Sequence, residues 1–118
     1  MGRRYDFGVL VKRQAFQRQW NQCGHCGHSL INQADHAHHV IPHQLGLRQE
    51  SDVHFIASVD NCVVLCEMCH ERVHQNGRYR TGAVAPPEYY SHSHGPLSVE
   101  HLLWASKVNQ MWDRILKQ

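Results

Sequence analysis

Residues 60–74 read Asp60-Asn61-Cys62-Val63-Val64-Leu65-Cys66-Glu67-Met68-Cys69-His70-Glu71-Arg72-Val73-His74. Val63-Val64-Leu65 is a β-branched, aliphatic run that marks a short strand. It leads straight into a C-x-x-C pair. From Cys69 to Gln75 the sequence reads as a helix stopped by Asn76-Gly77. On that helix His70 and His74 stand one turn apart on one face, where two imidazoles are able to grip one ion. The stretch is half of a larger pattern, whose other parts are Cys23-Gly24-His25-Cys26 and Ala37-His38-His39-Val40-Ile41-Pro42.

The chain has 118 residues, five Cys and twelve His, and 42% of it is hydrophobic. That length supplies one modest core, which calls for a staple. Two C-x-x-C pairs in one short domain suit metal ligation better than a disulfide framework. Four thiolates, from Cys23, Cys26, Cys66 and Cys69, match the closed tetrahedral site of structural zinc; an isolated redox pair and unliganded thiols are the alternatives. The glycines in Cys23-Gly24-His25-Cys26-Gly27 let the backbone bend around such an ion. His25 and His28 lie beside this knuckle as alternative ligands, although surface positions suit them better. Cys62 is left over and reads as a buried structural thiol.

Outside these motifs, Val9 to Asn21 reads as a helix, with Val9, Leu10, Phe16 and Trp20 apolar between basic and amide residues. Its basic residues face either phosphate or solvent. Ala37 to Ile41 is expected to be a strand ended by Pro42, its side chains alternating between two faces. Leu45 to Phe55 looks like an exposed loop with one helical turn, and Thr81 to Pro96 like an irregular connection around the core. The last helix is expected at about 97–117, with Ser98 as N-cap and an apolar stripe of Trp104, Val108, Met111, Trp112 and Ile115 packed on the domain.

Net charge is +2 with His neutral, which permits nucleic-acid binding without demanding it. No apolar run approaches the roughly 18 residues of a membrane helix, so no membrane partner is expected. Met1 to Phe7 begins basic, but Lys12 and Arg13 break the apolar patch that follows, which makes a poor secretion signal. The expected location is the cytoplasm, or a target cell's cytoplasm after delivery as part of a larger secreted protein.

A His pair on a strand, an Asn before a second strand and two His on one helical turn supply what phosphodiester hydrolysis needs. These are a base for water, ligands for a charge-stabilising cation, and a group that orients the base. The full pattern, C-x-x-C, H-H-V-x-P, then N-x3-L-C-x-x-C-H-x3-H, resembles the HNH endonucleases of the ββα-metal superfamily over roughly Cys23 to His74. Its His-His, Asn and His-x3-His set is similar to the DNase domains of colicin-type toxins, and its paired knuckles resemble zinc-bearing phage and restriction HNH nucleases. The implied fold is α+β: a small ββα-metal core pinned by a four-cysteine zinc site and flanked by N- and C-terminal helices. It would occupy a single domain over 1–118, with its core at about 20–80.

The resemblance implies that His39 is the general base, that His38, His70 and His74 hold a catalytic divalent ion, and that Asn61 hydrogen-bonds the His39 imidazole to fix its tautomer. Imidazole ligands suit Zn2+ or Ni2+ better than Mg2+, with Mn2+ also a candidate, and HNH members with Asp at the first position differ here. A register with Asp35 as ligand and His36 as base fails because Val-x-Pro follows His39. His43 reads as exposed. Arg48, Arg72, Arg78 and Arg80 are the candidate phosphate contacts. The expected activity is metal-dependent cutting of DNA, or RNA, with low sequence specificity. The pattern also suits the toxin or effector domain of a larger bacterial protein, with a dedicated acidic immunity protein as partner. The competing reading is a non-catalytic zinc module that binds nucleic acid or protein.

Overall fold

The computed structural model describes residues 6–42, 50–75 and 85–116, excepting the side chains of Glu50, His74, Gln75 and Leu116. Helix α1 spans Val9–Arg18. Strand β1, Asp35–His39, pairs antiparallel with β2, Cys62–Cys66, and α3, Glu67–Gln75, follows β2 without a break. Between the strands lies α2, Glu50–Ile56, and a 3-10 turn at Val59–Asn61. The chain then passes through a second 3-10 turn, Pro87–Tyr89, and an extended segment, Ser93–Pro96, to α4, Ser98–Leu116. The described residues therefore form an α+β arrangement with a two-stranded sheet and four helices.

The centre of the core is β2. Cys62, Val63, Val64 and Leu65 are all fully buried, with Ile56, Leu30, Tyr90 and Val108 around them. Cys62 is the buried thiol the sequence suggested, and burial pushes it up to about 12, which keeps it protonated and inert. Strand β1 lies two residues earlier than its sequence pattern indicates. Asp35 faces Cys66 and His39 faces Cys62, and the backbone bond from Val40 N–H to Asn61 O follows the last of these pairs. The polar Asp-His-Ala-His-His run has little strand propensity of its own, so pairing with β2 decides the bounds.

An edge strand buried in a core must have its outward backbone groups satisfied. Here the end of α1, its C-cap Gln19 and the first knuckle do this for β2. The Gln19 amide acts as a substitute strand, donating from Nε2 to Val64 O and accepting at Oε1 from Val64 N–H, each at 2.8 Å. Gly24 N–H also donates to Val64 O, at 2.9 Å. Arg18 donates to three carbonyls: Ser93 O at 2.8 Å, Val59 O at 2.9 Å and Cys62 O at 2.6 Å. It thereby ties α1 to the turn before β2, to β2 itself and to the segment before α4.

The start of the chain departs from the sequence expectation in a related way. Helix α1 stops at Arg18 rather than near Asn21, and Trp20 and Asn21 take φ of 57°, the left-handed region. That reversal turns the chain into the first knuckle. Val9, Leu10 and Trp20 are exposed, and the residues buried here are Ala15 in the helix and Gln19 at its C-cap. The C-terminal stripe is as expected: Trp104, Val108 and Ile115 are buried, with Met111 and Trp112 packed against them. Helix α4 is further held by Trp104 Nε1–H donating to Asp60 O at 2.8 Å and by an Arg114–Asp52 ion pair to α2.

Two predictions follow from these contacts. Arg18→Ala leaves three carbonyls without their charged donor and should cost about 3 kcal/mol in chemical denaturation, with Arg18→Lys recovering little because one ammonium does not span three directions. The second concerns acid. Burial lowers His94 to about 4, assisted by Arg18 and His101 and opposed by Asp60. Between about 4 and the ordinary His value of about 6.5, the unfolded chain binds the extra proton and the folded one does not. Stability should therefore fall as pH drops through that window, and His94→Gln should flatten this part of a Tm-against-pH profile.

Candidate metal centres

The first knuckle is built by chain reversal. After the left-handed pair Trp20-Asn21, Cys23 N–H bonds to His28 O at 2.7 Å and Gly27 N–H to Cys23 O at 3.0 Å. Gly27 sits at φ 77°, where a side chain would be strained. The second knuckle is the junction of β2 and α3. Cys66 ends the strand and Cys69 lies in the first turn of the helix, so the spacing that chelates also starts the helix.

The sulfur atoms of Cys23, Cys26, Cys66 and Cys69 all lie within 4.8 Å of one another, and Cys26 Sγ is 3.9 Å from Cys66 Sγ. A tetrahedron with zinc–sulfur bonds of about 2.3 Å has edges of about 3.8 Å. The group thus has the size and donor chemistry of a structural metal site such as zinc. Backbone N–H groups point at the sulfurs as well: Cys66 N–H toward Cys23 Sγ at 3.3 Å and Cys69 N–H toward Cys66 Sγ at 3.5 Å. Burial pushes the Cys23 thiol up, but N–H groups of Cys26, Cys66 and His25 outweigh it, and the net displacement is downward, toward thiolate. Cys26 and Cys69 are held up, first by burial and then by neighbouring sulfurs. Four adjacent thiolates need a cation before all can ionise, which couples metal binding to folding.

The second group lies where β1 meets α3. Alternation along β1 puts His36 and His38 on the face toward α3, and His39 on the other. His38 and His70 approach edge to face, ring centroids 5.9 Å apart at 80°. His36 stacks flat on His70, at 4.4 Å and 7°. Parallel rings do not aim their in-plane lone pairs at one ion, so in this arrangement His36 supports His70 and does not share a ligand set with it. Nε2 of His38 lies 2.9 Å from the Tyr90 hydroxyl. His39 is half-buried and stacks on Phe7 at 4.0 Å and 18°.

Asn61 departs from the expected role. Its side chain accepts from Ile41 N–H at 2.7 Å and donates to Ile41 O and Ile56 O, each at 3.0 Å. It holds the chain leaving β1 and the end of α2, and does not bond the His39 imidazole. A fully buried amide satisfies the nearest backbone groups, and here those follow β1 rather than lie on it. His25 also differs from a surface histidine: Nδ1–H donates to Tyr89 O at 2.7 Å and its ring stacks on Tyr89. His28 is exposed, as expected.

The side chain of His74 and all of Arg48, Arg78, Arg80 and His43 lie outside the described residues. Arg72 is exposed on α3. Among the other described cations, Lys12 pairs with Asp35 at 2.8 Å, Lys107 with Asp60 at 2.6 Å and Arg114 with Asp52, while Arg18 is engaged internally. Arg13 and Arg72 remain exposed for an external anion.

The sequence pattern gives no supporting role to four contributors: His36, set aside there as a base, Tyr90, Arg18 and Gln19. His36 had a signal, because a residue two before His38 on a strand shares its face. Tyr90 had none, since it reaches His38 from 52 residues away. Arg18 and Gln19 resembled any polar residues at a helix end.

Compared with protein-family models, curated proteins and solved structures, the chain matches none. No helix among the described residues is long and apolar enough to cross a membrane.

Replacing Cys66 and Cys69 together by Ser should remove one equivalent of tightly held zinc by elemental analysis and abolish the cooperative thermal transition. Structural zinc sites contribute on the order of 10 kcal/mol to folding. Retention of both would show that the cysteines are not the ligands.

Proposed function

We propose that the protein is a metal-dependent endonuclease of the HNH type that hydrolyses DNA with low sequence specificity. The observation that carries this reading is the approach of His38 on β1 to His70 at the start of α3, 5.9 Å between ring centroids, within a strand–strand–helix unit whose helix begins at the four-cysteine group. The sequence resemblance reaches the same residues from a separate direction.

Two imidazoles in this relation suit a borderline divalent cation such as Zn2+ or Ni2+, with Mn2+ or Mg2+ requiring oxygen ligands besides. When bound, such an ion supplies Lewis-acid stabilisation of the charge that develops on the phosphate and the departing oxygen. His38 and His70 would hold it, with His74 as the proposed third ligand. His39 takes the proton from the attacking water as the new phosphorus–oxygen bond forms. The bond from phosphorus to the 3′ oxygen breaks, that oxygen takes a proton from solvent water, and the products are a 5′-phosphate and a 3′-hydroxyl. Asn61 serves this site by fixing the chain just after His39 through Ile41. Arg72, Arg48, Arg78 and Arg80 are the proposed phosphate contacts, and Arg13, exposed like Arg72, is a further candidate. Phosphate contacts of this kind are tolerant of sequence and sensitive to salt.

RNA offers the same phosphate chemistry and is the alternative substrate. Within the nuclease class we favour a toxin or effector domain of a larger bacterial protein, for which an acidic immunity protein would be the partner. The target cell's cytoplasm would then be the site of action. The non-catalytic zinc module is the second reading. Two observations favour it: the wholly structural bonds of the Asn61 side chain, and the internal ion pairs of Lys12, Lys107 and Arg114.

A plasmid-nicking assay with Zn2+, Ni2+, Mn2+ or Mg2+ separates these readings. The parent should cut in at least one metal, and His39→Ala should slow cutting on the order of 10²- to 10⁴-fold. Absence of cutting by the parent in every metal would leave the zinc module as the better account.

A further inference from the structure

Tyr90 has no part in the proposed chemistry, yet it is fully buried and lies against the histidine assigned to the metal. Its hydroxyl is 2.9 Å from Nε2 of His38, with ring centroids 5.7 Å apart. His38 is itself only 3% exposed. A neutral imidazole has one N–H and one lone pair, and the bond at one nitrogen decides what the other offers. If the hydroxyl donates into Nε2, the proton is on Nδ1 and the ring cannot ligate there. If it accepts from Nε2–H, the lone pair is on Nδ1.

Only the second state is compatible with a ligand role while the Tyr90 bond persists. We propose that Tyr90 is the positioning residue of His38, accepting from Nε2–H and so reserving Nδ1 for a divalent cation of the class that imidazole binds. This inference rests on the reading of His38 and His70 as a metal-holding pair. It follows the general pattern in which a ligating histidine is oriented by a hydrogen bond at its other nitrogen.

Tyr90 in turn is placed by the first cysteine knuckle. On one side of it, Tyr89 O accepts from His25 Nδ1–H at 2.7 Å, and the two rings stack at 3.8 Å and 4°. On the other side, His92 N–H donates to Gly24 O at 2.8 Å and its Nδ1–H to His25 O at 3.0 Å. A Cβ on Gly27 would meet the His92 ring at 2.8 Å, so only glycine admits this approach. Residues 89–92 form a strap fastened to the knuckle between Cys23 and Cys26, with Tyr90 projecting from it to His38. The two candidate metal centres are linked through this strap as well as through the junction of β2 and α3.

The test uses the full chain carrying one equivalent of zinc, titrated calorimetrically with Ni2+, together with long-range proton–nitrogen NMR of its imidazoles. The parent should take a further equivalent of Ni2+, and His38 without that ion should be the Nε2–H tautomer. Tyr90→Phe should weaken the Ni2+ affinity about 10- to 100-fold, shift His38 toward the Nδ1–H tautomer, and leave the zinc content and circular dichroism unchanged. His25→Ala, which removes the Tyr89 fastening of the strap but leaves the two His92 bonds to backbone oxygens, should weaken Ni2+ in the same direction and by less. Parental affinity and an unchanged tautomer in Tyr90→Phe would overturn the positioning role while leaving the metal reading in place. A parent that takes no further Ni2+ would overturn both.

Discussion

Four sulfur atoms from two knuckles 43 residues apart in the chain, Cys23 and Cys66 being partners in one N–H···S contact, meet within 4.8 Å. A two-stranded sheet is too small to be stable by itself, and a helix of nine residues is marginal in water. The sulfur cluster makes both part of one unit. It joins the end of β2 to the reversal after α1, and it fixes where α3 starts. A shift of α3 by one residue would turn His70 about 100° away from β1. The geometry of the histidines therefore depends on the geometry of the cysteines.

The packing around β2 has the same logic. Its inner edge pairs with β1, and its outer edge is closed by Arg18, Gln19, Gly24 and the Cys23 sulfur. All of these lie in the segment that leads into or forms the first knuckle. The segment that carries one half of the sulfur cluster is thus also the substitute third strand. The strap at 89–92 uses the other side of the same knuckle, through Gly24 O and His25 O. Much of the fold is organised about residues 18–27, although they contribute few large apolar side chains.

Local chemistry was legible in the sequence, and long-range pairing was not. Cysteine spacing announced the sulfur cluster, because chelation requires it regardless of the rest of the fold. The aliphatic run at 63–65 announced β2, and the stripe from Trp104 to Ile115 announced the buried face of α4. The bounds of β1 lie two residues from those its pattern predicts, since Asp35 to His39 is a strand by pairing and not by composition. Helix α1 looked longer because Phe16 and Trp20 have helical spacing, but the chain must reverse at Trp20 to reach the knuckle. The family resemblance places Asn61 on the His39 ring. In the fold, the backbone of Ile41 is closer to its amide. Tyr90, Arg18 and Gln19 act across 41 to 75 residues of sequence, and no local pattern reveals such partners.

The dependence of the whole arrangement on the four thiolates is open to a direct measurement. X-ray absorption at the zinc edge of protein carrying one equivalent of metal reports the number and type of ligands and their distance. The account predicts four sulfur neighbours at about 2.3 Å and no nitrogen or oxygen in the first shell. A shell containing imidazole nitrogen or water, or fewer than four sulfurs, would contradict it, because the two knuckles would then not be joined through one ion.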